Sequence, residues 1–372
     1  MKAVNTGLGI LGSRLLGRPF YVRFHVSYRC NYRCRMCALH GRAGEYGELP
    51  LEKIRLVADR LRRLGARHVV LTGGEPFLRR DLPDIVAAFA GRGFSVRVQT
   101  NGGAQVTDRA LAAAAAAGLR DVSVSIDTLD RTLQDDICGS RGVVDNALRT
   151  LDLAARHLPR GMSLANIVAS RLNFAALPDL VEFFRSRGVY TYITPVMIRR
   201  GAGEGEADYL FRSGDGAFCL DGVEPAQRDA VLDRLAALRR GGSGLANSTR
   251  FLEDFRSFLA DGACSWRCEA GRLCLDVRPD GGVAICKEKP SLGNILDPGF
   301  PVFYRGAEFA ARSAEQVREC TGCFYGEYRE PQYAVRDLSV LAEWSRDWVR
   351  TFRRGMRWRR NGSDRDTAIS LT

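Results

Sequence analysis

No apolar run in the 372-residue chain approaches the roughly 20 residues a helix needs to cross a bilayer, which excludes a helical membrane protein. The stretch Gly9 to Leu16 is short, is broken by Ser13 and Arg14 and has no small-residue cleavage site, so no secretory signal is read there and the expected address is cytoplasmic. Lysine is scarce: of 55 Lys and Arg residues only Lys2, Lys53, Lys287 and Lys289 are lysines. With the run Ala112 to Ala117, this arginine and alanine bias matches a GC-rich coding sequence, so the net charge of +12 does not by itself mark a nucleic-acid binder. Much of the surplus sits at residues 346–360, where Asp347 is the single acid among the arginines. The remaining composition, 45% hydrophobic and 26% charged, is that of a globular protein long enough for one large domain and a smaller one.

Cysteine, by contrast, is plentiful at eleven residues. Without a secretory signal these read as metal or redox ligands rather than as a disulfide framework. Cys30, Cys34 and Cys37 form one group, and a second runs from Cys264 to Cys323. Cys138 and Cys219 stand alone.

From Phe20 to about Val196 the chain alternates short β-branched runs with longer segments of helical period. Strands are expected at Tyr21 to Val26, His68 to Thr72, Ser95 to Thr100, Asp121 to Ile126, Leu164 to Val168 and Tyr190 to Pro195. Helices are expected at Leu51 to Leu64, Leu82 to Arg92, Asp108 to Ala117, Val143 to His157 and Ala175 to Arg187. Right-handed crossovers then give an α/β fold, a partial (β/α)6 barrel of TIM-like form. Two further helices, Pro225 to Arg240 and Phe251 to Leu259, precede a β-hairpin at Leu273 to Cys286 that turns at Asp280-Gly281. The expected organisation is an N-terminal segment (1–19), the barrel (20–200), a linker with helices (201–261), a small cysteine-rich domain (262–330) and a basic helix and tail (331–372).

Cys30-x3-Cys34-x2-Cys37 follows the first strand, where the loops of such barrels collect chemistry. Three thiolates suit a [4Fe–4S] cluster with one iron open to a ligand; a Cys3His zinc site using His40 is the alternative. Thr72-Gly73-Gly74-Glu75-Pro76 ends the second strand, with two glycines that permit close approach to the backbone and a carboxylate suited to a cationic group. Together, the triplet and this segment resemble the radical S-adenosylmethionine (SAM) superfamily over roughly residues 20 to 325.

The resemblance implies that Cys30, Cys34 and Cys37 ligate a [4Fe–4S] cluster whose open iron chelates SAM. Gly73, Gly74 and Glu75 match the segment contacting the SAM amino group, and Met36 the usually aromatic position near adenine. Ser125 and Asp127 match the ribose-contacting segment, with Ser125 favoured, and Thr100 and Asn101 are expected to face the pocket. Each of these strand-end polar residues equally fits a cap or turn. Cys268, Cys286, Cys320 and Cys323 resemble the C-terminal twitch domain, the short form of the SPASM domain, and so imply one auxiliary [4Fe–4S] cluster. Cys264 or Cys274 could replace Cys268, and a four-cysteine zinc ribbon is the alternative.

The expected function is hydrogen abstraction by a 5′-deoxyadenosyl radical from a small natural-product or sugar-like substrate, giving dehydrogenation or epimerisation. Flavodoxin or ferredoxin is the expected electron donor. Cys138 and Cys219 are the candidate hydrogen donors for epimerisation. The early position of Cys30 leaves no space for a leader-binding domain, which ranks a peptide maturase second; a non-catalytic zinc protein binding nucleic acid is the reading from another class. Trp344, Trp348 and Phe352, at helical spacing among arginines, fit a helix packed on its own domain or a weak membrane-surface contact.

Overall fold

The computed structural model describes residues 2–39, 44–197, 215–242, 244–261, 268–320 and 322–347. Helix α1 (Lys2–Leu15) leads into β1 (Tyr21–Ser27), α2 (Leu51–Leu64), β2 (His68–Gly73), α3 (Leu82–Ala90), β3 (Ser95–Thr100) and α4 (Asp108–Ala116). Then come β4 (Leu119–Ser125), α5 (Arg131–Cys138), α6 (Val143–His157), β5 (Ser163–Ala169), α7 (Leu177–Ser186), β6 (Tyr190–Pro195), α8 (Pro225–Arg240) and α9 (Thr249–Asp261). The C-terminal part holds β7 (Cys274–Val277), β8 (Gly282–Ala284), β9 (Gly293–Asn294), α10 (Phe300–Arg305), α11 (Ala307–Arg318) and α12 (Gly326–Arg336), followed by helix at residues 338–347. No helix among the described residues is long and apolar enough to cross a membrane.

The sheet order is β6-β5-β4-β3-β2-β1-β7-β8-β9, and β1 to β6 are parallel throughout, which is the expected partial barrel. Strand period explains its two faces. In β3 the buried Val96 and Val98 face the helices, while Arg97 and Gln99 line the lumen. Helix α2 buries Ile54, Val57, Ala58, Leu61 and Leu64, one stripe of helical spacing, and stops at Gly65 with φ +112°.

Three features depart from the expected layout. The hairpin β7–β8 forms, but β7 also pairs in parallel with β1, from Tyr21↔Cys274 to Phe24↔Val277, so the cysteine-rich region continues the barrel sheet. Helix α5 lies where no element was expected; Asp130 caps its start by accepting from Leu133 N–H, and Gly139 ends it with φ +57°. Helix α12 borders the barrel lumen: a Cβ on Gly326 would lie 2.3 Å from the Tyr192 hydroxyl oxygen. Trp344 packs partly buried on the core; Trp348, Phe352 and the basic tail lie outside the described residues.

Candidate active site and metal centres

The loop after β1 is held from two sides. The Arg33 and Arg35 amides donate to the carbonyls of Cys138 (3.0 Å) and Ile137 (2.9 Å) at the end of α5. On the other side Gly74 N–H donates to Ser27 O and Glu75 N–H to Arg29 O, both at 2.8 Å. A Cβ on Gly73 would lie 1.9 Å from Ser27 O, and one on Gly74 2.2 Å from Arg29 O. Neither position has room for a side chain, and the two glycines let the cysteine loop press onto the end of β2.

Cys30, Cys34 and Cys37 are half-buried, and burial pushes the Cys37 thiol up to about 11. Burial also raises Cys30; Cys34 rises through a hydrogen bond with Cys138, then burial and the nearby sulfurs of Cys37 and Cys30. Such clustered thiols lose their protons readily only to a bound cationic centre. Asn101 Nδ2 donates to the Cys30 sulfur, and the backbone at Tyr32 and at Leu39 offsets part of the effect of burial on Cys30 and Cys37. The Tyr32 hydroxyl is buried without a partner beside this group. Among the described residues no three His, Cys, Asp or Glu side chains converge on one ion-sized point. His40, required by the zinc alternative, lies outside the described residues.

The Glu75 carboxylate is fully buried and already accepts from Phe77 N–H (2.8 Å), Thr100 Oγ1 (2.9 Å) and Asn101 N–H (2.7 Å). Burial outweighs these donors and pushes Glu75 up to about 7. Its side chain thus ties β2 to β3 instead of pointing to open space. Thr100 turns inward to Glu75, while Asn101 Nδ2 lies 3.7 Å from the Cys30 sulfur and donates to Asn31 Oδ1 at 2.9 Å. Met36 is half-buried against the core. Asp127, raised to about 6 by burial, accepts from Val168 N–H at 2.7 Å and so bridges β4 to β5. Ser125 faces the lumen.

That lumen is a cavity of about 1490 Å³ lined by Arg23, Arg97, Ser125, Tyr192, Lys287 and Glu327, among others. Glu327 pairs with Arg23 and with Lys287 (2.9 Å), and Lys287 also acts on Cys37, which places this end of the lumen beside the cysteine loop. Glu330 contributes a buried Oε2 with no partner. Period-two alternation in the strands could have revealed Arg23 and Arg97; nothing local marks Lys287, Glu327 or Glu330. Neither Cys138 nor Cys219 lines the cavity.

The C-terminal cysteines show the same thiol signature. The Cys268 sulfur accepts from Ala270 N–H and that of Cys320 from Gly322 N–H, both at 3.4 Å, and the backbone at Glu288 offsets part of the burial that raises the Cys286 thiol. Cys268 lies near Cys320, and Cys286 near Cys323. Cys274 differs: fully inside the sheet, its thiol donates to Glu327 O at 3.8 Å. Cys264 is outside the described residues. Segment 286–288 joins the two centres, since Lys287 stacks 3.6 Å from the Tyr325 ring and Tyr325 donates to Glu288 at 2.5 Å.

Residues 24–184 match the family described as the Radical SAM superfamily. GTP 3′,8-cyclase from Tolumonas auensis is 31% identical over 48% of this chain and 54% of its own; this chain spans about half the length of the cyclases it matches. Mycofactocin maturase MftC from Mycolicibacterium smegmatis is 27% identical over 83% of this chain and 76% of its own. Among solved structures, Streptococcus suis SuiB bound to S-adenosylmethionine has a TM-score of 0.59 at 14% identity, covering 80% of this chain and 68% of that one. The structure of anSMEcpe with bound AdoMet gives 0.59 at 15% identity, covering 91% and 98%. These structures share the fold.

Proposed function

The chain carries a radical SAM domain over residues 24–184, and on that premise we propose a two-cluster radical enzyme that oxidises its substrate. Cys30, Cys34 and Cys37 would hold the SAM-binding [4Fe–4S] cluster, and Cys268, Cys286, Cys320 and Cys323 an auxiliary one in a SPASM/twitch-type region. When bound, the first supplies the electron that splits SAM into methionine and a hydrogen-abstracting 5′-deoxyadenosyl radical, and the second an acceptor for the electron left on the substrate. The observation that carries this reading is that sulfurs in both groups accept hydrogen bonds: Cys268 and Cys320 each from the amide two residues downstream at 3.4 Å, and Cys30 from Asn101 Nδ2 at 3.7 Å. Cys274 sits outside that pattern as a donor to a carbonyl.

The chain's own residues do the rest: Ser125 lines the lumen, where it would position the cofactor or substrate, and the paired Lys287 and Glu327 line it as a proton relay. Since Cys138 and Cys219 do not line the cavity, dehydrogenation is favoured over epimerisation. As substrate we propose a peptide side chain, because the maturase is the relative whose likeness runs through barrel and cysteine-rich region alike. The Arg23, Arg97, Ser125 and Glu327 side chains in the lumen favour a second reading, a free sugar- or cyclitol-like molecule. Flavodoxin or ferredoxin is the proposed reductant.

Anaerobic reconstitution should yield about eight irons per chain and SAM cleavage under reduction. With substrate, the product should be lighter by two hydrogens and free of solvent deuterium. An isomeric product carrying one deuterium from deuterium oxide would overturn the oxidative reading.

A further inference from the structure

Cys138 is buried at the end of α5, away from the lumen, and the backbone bonds of Arg33 to Cys138 and of Arg35 to Ile137 set it beside Cys34, whose thiol it raises. The orientation of this contact can be worked out from the neighbouring amide. Gln134 Oε1 accepts from Asp127 N–H (3.0 Å) and Thr128 N–H (2.8 Å), which fixes the flip of the side chain. Gln134 Nε2 must then face Cys138, and it donates to that sulfur at 3.3 Å. The Cys138 sulfur is thereby engaged as an acceptor, so its hydrogen is free to point elsewhere. Cys34 flanks it, fixed by the Arg33 and Arg35 amides bonded to the carbonyls of Cys138 and Ile137. Independently, the buried Tyr32 hydroxyl has no partner and lies in the same wall, under the influence of Cys138, Cys34 and Cys30. On this side of the loop the Tyr32 hydroxyl is therefore a donor with nothing yet to receive it.

We infer that Gln134 and Cys138 form a hydrogen-bond relay from the end of β4 to the loop cluster, in which the Cys138 thiol donates to the Cys34 sulfur when that sulfur binds iron. Cys138 is then a positioning residue that tunes the cluster and not a hydrogen donor to substrate. The inference rests on the cluster assignment to Cys30, Cys34 and Cys37. A donor to a cluster sulfur stabilises the more negative reduced state and raises the reduction potential.

The test is a redox titration of reconstituted full-length enzyme followed by electron paramagnetic resonance, with the loop cluster identified as the signal that changes on adding SAM. Cys138→Val keeps the volume and removes the donor; Cys138→Ser restores one. The valine variant should be about tenfold harder to reduce, roughly 59 mV lower for one electron, with the serine variant near wild type and the auxiliary signal unmoved. Loss of the loop signal in valine but not in serine would also support the relay. Equal potentials in all three proteins, or loss of the loop signal in both variants, would overturn it. Absence of any SAM-responsive signal in the wild type would instead sink the cluster assignment itself.

Discussion

The N-terminal cysteine loop hangs between two backbones, the end of β2 and the end of α5, and its three cysteines lie within eight residues. The C-terminal cysteines are spread over more than fifty residues and are gathered by a sheet extension, with Asp276 of β7 holding His25 at 2.6 Å and Tyr328 at 2.6 Å, and Arg278 reaching the Tyr46 hydroxyl at 2.6 Å. The first cysteine group is thus a local motif needing support, whereas the second comes together only once remote strands have paired.

The sharpest way to break this comparison is to empty each centre in turn. Replacing Cys30, Cys34 and Cys37 by Ala should abolish SAM cleavage while leaving about four irons. Replacing Cys268, Cys286, Cys320 and Cys323 should remove about four irons, retain cleavage and stop product formation. Iron analysis and quantitation of 5′-deoxyadenosine check both, and identical outcomes from the two variants would refute separate centres.

The next effect tests the support of the loop. Gly73 has φ +134°, and its Cβ position is occupied by Ser27 O. Gly73→Ala should cost at least about 1–3 kcal/mol from conformation alone, and the clash should displace the loop. Its predicted signature is loss of the loop cluster with the auxiliary cluster retained, read by iron content and spectroscopy.

Glu75→Ala strands the Phe77 and Asn101 amides and the Thr100 hydroxyl, at a cost of about 1–3 kcal/mol. Glu75→Gln keeps most of these bonds. Urea denaturation of the two variants should separate them; equal stability would mean the carboxylate is not the tie between β2 and β3.

The smallest effect falls on the C-terminal side. Burial raises Glu330 from 4.5 to about 7, although its Oε1 accepts from Ser248 N–H at 2.8 Å. The folded protein keeps a proton that the unfolded chain releases, so this group's contribution to stability falls as pH rises from 4.5 to 7. Glu330→Gln should flatten that slope in a pH series of denaturation midpoints.

Much of the barrel was legible because its signals are local: β3, β6, α2 and α6 begin and end at the expected residues, set by alternation and helical spacing. The cysteine spacing likewise brought the two groups into view. What stayed hidden depends on contacts between residues far apart. Nothing near Cys274 announces its pairing with Tyr21, and nothing in Gly326–Arg336 announces a helix bordering a polar lumen. Helix α5 is short, eight residues, and is defined by a cap and by the loop it supports. Glu75 is instructive: its motif was evident, but its orientation is decided by the donors on β3.

The pairing of β1 with β7 also bears on how the protein is made. About 250 residues separate Tyr21 from Cys274, so during synthesis β1 has a partner on one side only until nearly three quarters of the chain has emerged. An unpaired parallel edge is slow to close and prone to aggregation. The strand that launches the first cysteine loop is therefore completed late, and loading of the proposed iron sites belongs after translation, on a chain protected until its last sheet segment has docked.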